Sequence, residues 1–401
     1  MMMLAFSYLR RRWGQALLAM IVGALGVTAV CLAFSGFEAL PEAAEQAWGG
    51  VDLVVGPKGS ALDLVLCCAL HVSDPRGLVS EKAAMALGRH PLVRVAAPIA
   101  LGDNVEGVRI VGTTPDLLSV YRAGIARGRI WHKPLEAVLG AQAAKALNLG
   151  IGDRFVGAHG LAAGGEMHSQ FPYLVVGILA PTGSVLDRLV LCDIATVRYI
   201  HKMHAEDEAA QTGITETYVN LPDAATAVVA SYKSPVAMML LPRLVDADPA
   251  LSAGSPSLEI ARLMGYARPL TYAATALGLL LVLIAAAGAA ASLMATMNAR
   301  TRDLALLRVL GAGPAALAGV AFCEAALIAA GSVVLGLAFT AAALGIAVHV
   351  LAGQTGLTLH PHVDATLLIA IAGGAMAVAL FTALFPAIRA ATTPVEEVLR
   401  S

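Results

Sequence analysis

The chain has 401 residues, 58% of them hydrophobic, 14% charged and 5% aromatic, with a net charge of −1. An ordinary globular domain carries about 25% charged residues, so this composition excludes a disordered chain and argues against an all-soluble enzyme. The near-zero charge offers no basic signal for nucleic acid, and no nucleic-acid partner is expected.

The charges are segregated. Residues 38–262 hold 41 of the 55, as 18 Lys+Arg and 23 Asp+Glu. In chain order, Arg10, Arg11 and Arg12 precede a charge-free run over 13–37. A helix of about 20 apolar residues spans a bilayer core of about 30 Å, so 15–37 reads as a first transmembrane helix. It exceeds the roughly 7–15 apolar residues of a signal peptide. No small-x-small site follows it, and Thr28, Ala29 and Val30 before Cys31 make no lipobox. An uncleaved anchor is expected.

Residues 38–266 read as a mixed α/β domain. Runs at 51–56, 92–101, 108–112, 171–179 and 188–191 have strand character, the last two joined by the turn Pro181-Thr182-Gly183-Ser184. Helical periodicity falls at 80–89, at 141–147 and at 193–203, where Asp193 is placed as an N-cap. The stretch 235–265 is expected to be helical, leading into the next apolar run.

Three further charge-free stretches follow, 269–299, 325–363 and 365–388, with another at 309–323 just before Glu324. They place transmembrane helices at 267–297, 315–350 and 363–388. The segment 351–362, with Gly353, Gln354, Gly356, His360, Pro361 and His362, reads as a loop. The fold class is therefore an α-helical membrane protein of four transmembrane helices, one plus three, with a large mixed α/β extracytoplasmic domain inserted between the first and second.

Orientation follows the Lys/Arg bias of short loops. Arg10, Arg11 and Arg12, then Arg300, Arg302 and Arg308, then Arg389 and Arg400 all mark one side, while 351–362 has no Lys or Arg. Both termini and the 298–314 loop are expected in the cytoplasm of a bacterial inner membrane, and 38–266 outside.

Five cysteines are present. Cys31 and Cys323 fall in spans as small packing residues. A bridge from Cys192 to Cys67 or Cys68 is compatible with an outside domain. Three cysteines leave one over, however, and free packing thiols are preferred. Among ten histidines, His201 and His204 are three apart, His159 and His168 flank a Gly-rich loop, and His360 and His362 sit at the outer mouth of the fourth span. None matches a metal spacing such as HExxH, so solvated surface histidines are expected, with no metal or haem. The 360/362 pair stays open to a partner or cargo. No Walker A, GxSxG or HExxH pattern supports catalysis. Gly-Pro-Lys-Gly-Ser at 56–60 lacks the phosphate-loop spacing, and no acid/base carboxylate pair stands out.

The 298–314 loop places Leu304, Leu307 and Leu310 at i, i+3 and i+6 behind Arg300 and Arg302, with Gly311 as helix terminator and Pro314 beyond. The run Arg-Thr-Arg-Asp-Leu-Ala-Leu-Leu-Arg-Val-Leu-Gly-Ala-Gly over 300–313 resembles the signature loop of the FtsX-like permeases. These are membrane subunits of type VII ABC transporters, such as macrolide-exporter and lipoprotein-releasing permeases. Asp303 stands where the family has Glu. The tail from Pro386 to Arg400 resembles the family's terminal motif, Glu136 to Asp153 its periplasmic domain, and Phe6 to Trp13 its interfacial helix. Residues 1–14 are accordingly expected as an N-terminal interfacial amphipathic helix and 389–401 as a cytoplasmic tail.

The resemblance implies a permease that hydrolyses nothing itself, with no cofactor of its own; ATP and Mg are bound by a partner. That partner is a cytoplasmic ABC ATPase dimer docked on Arg300, Arg302, Asp303, Leu304, Leu307, Arg308, Leu310 and Gly311. A second permease copy pairs through the first two spans, and the remaining partners are membrane lipid and an extracytoplasmic cargo or partner protein. ATP-driven motion of the outer domain, mechanotransmission, would drive export or extraction of a lipoprotein, lipid, haem, drug or peptide. Glu324 matches a carboxylate near the start of the family's third helix, and an intramembrane carboxylate is a functional candidate; a buried structural hydrogen bond is the alternative. A signalling subunit that activates a cell-wall hydrolase is the alternative function, against which the size of the insert argues. A membrane-anchored enzyme or an uncoupled adaptor would not need the 300–311 signature.

Overall fold

In the computed structural model the described residues are 10, 13–160, 165, 167–212, 223–299, 313–354 and 365–392. The expected coupling loop, outer loop and tail lie wholly or largely outside them, as does most of 1–14. Two compact units emerge, one holding Pro41–Leu263 and the other the apolar helices, including Met264–Val350.

The chain enters through α1 (Trp13–Trp48). The outer domain follows as β1 (Leu53–Pro57), α2 (Ala61–Cys68), β2 (Val79–Ser80), α3 (Glu81–Ala86), β3 (Val93–Val105), β4 (Val108–Thr113) and α4 (Asp116–Tyr121). It continues through β5 (Ile125–Gly128), β6 (Glu136–Leu139), α5 (Ala141–Ala146), β7 (Arg154–His159), β8 (Met167–Leu179), β9 (Val190–Asp193) and α6 (Ile194–Thr212). It closes with β10 (Ala224–Ala225), β11 (Ala227–Tyr232), α7 (Val236–Asp246) and β12 (Leu251–Gly254), before α8 (Pro256–Ala299), α9 (Pro314–Gln354) and α10 (Ala365–Thr392).

Ten strands share one sheet, in the order β12-β1-β11-β3-β4-β9-β6-β8-β5, with β7 pairing both β3 and β8. The path β3-β4-β9-β6-β8-β7 therefore returns to β3 as a closed six-stranded ring, which leaves those strands without open edges. Its core includes Ile110, Leu139, Tyr173 and Val190, with Phe155 stacked on Tyr173 at 5.1 Å. The open wing β12-β1-β11-β3 has a separate core of Leu53, Val55, Val93 and Val228 under Leu241 and Val245 of α7. β3 belongs to both. Residues 96–101 of β3 are all buried, the mark of a strand covered on both faces. The run 92–101, read as a strand from the sequence, keeps an exposed polar position only near its start, at Arg94.

Two expectations change. The 235–265 stretch is not one helix: β12 interrupts it and pairs with β1 from Val54↔Gly254 to Pro57↔Leu251. Short apolar runs do not distinguish an edge strand from a helical turn, and Pro256 restarts the helix at its favoured first position. The strands at 171–179 and 190–193 do not pair with each other, because β6 lies between them. Their link is a loop built on the buried Asp187, whose carboxylate accepts from Thr182 N and Gly183 N at 2.9 Å. As expected, Asp193 caps α6, accepting from Ala195 N at 2.7 Å. All five cysteines are free thiols, with Cys67, Cys68 and Cys192 buried.

In the helical unit, α1, α8, α9 and α10 each contain a segment long and apolar enough to cross a membrane. Small residues set their packing. A Cβ on Gly26 of α1 would lie 2.7 Å from the Gly278 carbonyl of α8, and a Cβ on Gly278 would lie 2.8 Å from the Gly26 carbonyl. Thr28 Oγ1 donates to the Gly336 carbonyl of α9 at 3.0 Å. Leu293, Ala325 and Ala383 join α8, α9 and α10. Leu280, Leu283, Ile346 and Phe381 point outward and exposed, a surface that suits lipid and not water.

β6 begins with a buried carboxylate, Glu136, which Arg129 grips through two hydrogen bonds of 2.6 and 2.7 Å; His132 N and Lys133 N donate at 2.8 and 3.2 Å. The Arg129 guanidinium and those amides, against the opposing effect of burial, hold the Glu136 carboxyl down at about 2. A depressed carboxylate stabilises the fold above its ordinary pKa and loses that contribution as pH falls through the folded value. The stability of the full-length chain in detergent, followed by urea titration, is therefore expected to decline from about pH 4.5 toward 2. Glu136→Gln lowers stability at pH 6 and flattens that decline. An equally steep decline in the variant would assign the acid sensitivity elsewhere.

Candidate functional site

The residues that the sequence singles out for coupling, Arg300, Arg302, Asp303, Leu304, Leu307, Arg308, Leu310 and Gly311, fall outside the described residues. So do His360 and His362. Glu324 lies in α9, half-buried, one residue before Ala325 in the α8–α9–α10 contact.

The outer domain brings together residues that the sequence leaves scattered. Asp103 lies near the end of β3 and is fully buried. Its Oδ1 is 3.2 Å from His168 Nε2, 3.1 Å from His201 Nε2 and 3.9 Å from His159 Nδ1. The expectation of solvated histidines is corrected for two of them: His168 and His201 are buried, at 7% and 6% exposure. His159 forms the exposed rim.

Each element delivers its residue for a local reason. β3 carries a bulge against β4: Leu101 pairs Val111 and Asp103 pairs Ile110, leaving Gly102 as the extra residue. A bulge re-aims the side chains beside it. β7 sets His159 directly opposite Asp103 in antiparallel register. β8 begins at Met167 and supplies His168. α6 buries Ile194, Val197 and Ile200 on the sheet, and His201, one residue on, shares that face.

Two glycines let α6 come this close. A Cβ at Gly102 would lie 2.2 Å from His201 Cε1, and one at Gly112 would lie 2.7 Å from Val197 Cγ2. Gly112 pairs with Ala100, close to the bulge. Asn104 fastens the neighbouring turn, donating from Nδ2 to the Ala158 and Gly160 carbonyls at 3.3 and 3.0 Å and accepting from Gly107 N at 2.9 Å.

Burial alone would raise the Asp103 carboxyl. The His168 and His201 hydrogen bonds, and then the charge those rings can carry, outweigh it and hold the group well below the usual carboxylate range. Asp103 is therefore an anion, with both imidazoles donating Nε2–H to one oxygen. The other oxygen, Oδ2, is buried and accepts no hydrogen bond.

Against this architecture, the model of the MacB-like periplasmic core domain matches residues 16–232 and that of the FtsX-like permease C-terminal region matches residues 275–395. The chain belongs to the FtsX-like permease family. It is a permease subunit of an ABC transporter, with an extracytoplasmic domain and a partner ATPase. Among solved structures, the periplasmic region of MacB from Actinobacillus actinomycetemcomitans is 13% identical, with a TM-score of 0.34, covering 54% of this chain and 93% of that one. The extracellular domain of the noncanonic ABC-type transporter YknZ from Gram-positive bacteria is 11% identical, with a TM-score of 0.29, covering 51% and 98%. No curated protein matches the chain.

In the sequence of this permease, His159, His168 and His201 stand out only by their neighbours in the chain, and Asp103 does not stand out at all. Two signals point to the cluster: a carboxylate within the apolar run 99–105, and a histidine on the apolar face of α6.

The bulge carries a prediction. Gly102→Ala lowers the stability of the full-length permease by about 1–3 kcal/mol through overpacking against His201. In a His201→Ala background the same change costs at least about 0.5 kcal/mol less, measured by thermal unfolding of the four proteins in detergent. Additive losses would place the strain away from His201.

Proposed function

We propose that this permease works by mechanotransmission. A cytoplasmic ATPase dimer binds and hydrolyses ATP with Mg, and two permease copies relay its motion to their outer domains, which export or extract a hydrophobic cargo. The chain itself performs no chemistry and holds no nucleotide. Both termini and the 298–314 segment face the cytoplasm of a bacterial inner membrane.

One observation carries this reading. A MacB-like periplasmic core domain and an FtsX-like permease region succeed each other in one chain, and between the second and third spans lies a basic, amphipathic segment with Leu304, Leu307 and Leu310 on one face. An amphipathic helix laid in a groove is a common recognition mode, and a rigid element joined to it can transmit a nucleotide-driven rotation. Arg300, Arg302 and Arg308 then meet an acidic rim of the ATPase, with Asp303 and the terminator Gly311 shaping the helix. Glu324, on α9 just beyond that segment, couples the docking helix to the contact of α9 with α8 and α10.

Leu307→Glu places a charge in the docking face. It is expected to reduce the copurified ATPase about tenfold or more while the permease stays in the membrane. Undiminished copurification would remove the docking assignment. For orientation, a membrane-impermeant thiol reagent is expected to label His360→Cys in intact cells and Ala305→Cys only after permeabilisation. The reverse pattern would invert the topology.

A further inference from the structure

We propose that Asp103, His159 and His201 form a binding site for one divalent transition-metal ion, of which Zn2+ is the best fit, in the extracytoplasmic domain. Their ligand atoms, one from each residue, all lie within 4.8 Å of one another. Around tetrahedral zinc, bonds of about 2.0–2.1 Å put neighbouring ligand atoms about 3.3 Å apart. The Asp103–His201 distance of 3.1 Å already matches, and the Asp103–His159 distance of 3.9 Å is a small inward shift away. His159 sits at the exposed rim, its ring centroid 5.3 Å from that of His201.

The chemistry of the set points the same way. Two imidazoles and one carboxylate suit zinc and its neighbours, whereas calcium and magnesium prefer all-oxygen sites. Three protein ligands leave a fourth position, which the exposed His159 puts on the solvent side. An ionised carboxylate buried with one oxygen unpartnered is costly. Asp103 Oδ2 is such an atom, and a dication compensates the charge. His168 is buried and 3.2 Å from the same carboxylate. It serves as the outer partner that orients a ligating carboxylate. On binding, His201 ligates as its neutral Nδ1–H tautomer: the Nε2 proton passes to solvent while Nδ1 takes one up, which frees the Nε2 lone pair for the metal.

The scaffold is built around these contacts. The bulge at Gly102 aims Asp103, and the missing side chain there admits the His201 ring. A bound ion would link β3, β7 and α6 at this end of the sheet. The site is remote in sequence from 300–311, so its loss leaves ATPase copurification unchanged, and a failure here is distinguishable from a failure of the coupling reading.

The test uses the full-length chain in detergent, stripped with EDTA and titrated with Zn2+ alone, then with Co2+ as a spectroscopic substitute. The wild type is expected to bind one equivalent, gain thermal stability and show the visible bands of a low-coordinate Co2+ site. His159→Ala, a change at the exposed rim that leaves the fold intact, weakens Zn2+ binding by at least about 100-fold. His168→Gln weakens it by about 10–100-fold and shifts the Co2+ bands. Asp103→Asn abolishes binding, and His159→Ala covers the case in which that buried change unfolds the domain. Absence of stoichiometric Zn2+ binding in the wild type, or wild-type affinity in His159→Ala, overturns the proposal.

Discussion

A single thirteen-residue strand, β3, belongs to two structures at once. Its first half carries the open wing under α7 and its second half closes the six-stranded ring through β4 and β7. A strand covered on both faces has to be apolar, and most of β3 is. Besides the exposed Arg94 at its start, the exceptions are Asp103 and Asn104, which fall just after the bulge and are both fully buried. Buried polar groups require partners. Asn104 finds them in the backbone of the β7 end and its own hairpin, and Asp103 finds them in histidines. The polar end of β3 thus dictates where β7 ends, where β8 begins and how closely α6 lies.

The membrane helices follow a different rule. Without a hydrophobic drive between helices in lipid, close backbone approach decides packing. Gly26, Gly278 and Gly336 provide it for α1, α8 and α9. Large side chains are left to face outward. Such backbone-to-backbone contacts have little slack for independent sliding, and the proposed relay of motion needs helices that move as packed units.

The two parts are unequally legible in the sequence. The spans are plain, because charge-free apolar runs of the required length are rare outside a bilayer. The runs at 51–56, 92–101 and 108–112 are visible as β-rich segments between turn residues, although β3 continues past its bulge to Val105. β12 is hidden, because four residues next to a long helix, Leu-Ser-Ala-Gly, carry no period of their own. The pairing of β6 between β8 and β9 is hidden as well, since sheet order depends on contacts far apart in the chain. The Asp103 cluster is the hardest to see. Its four members span 98 residues of sequence from Asp103 to His201, and only antiparallel register and a helix face bring them together. The 300–311 segment is the reverse case, plain as a motif in the sequence but outside the described residues.

Under the proposed mechanotransmission, the outer domains move when the ATPase binds nucleotide. The most direct measurement is the distance between spin labels on Arg127→Cys, an exposed site on β5, in two permease copies assembled with the ATPase in nanodiscs. The native cysteines Cys31, Cys67, Cys68 and Cys192 are buried, and the half-buried Cys323 is replaced by Ala beforehand, so that labelling favours the new site. Mechanotransmission predicts distance distributions that differ between the nucleotide-free and ATP-trapped complexes. Superimposable distributions in a complex that hydrolyses ATP would contradict it.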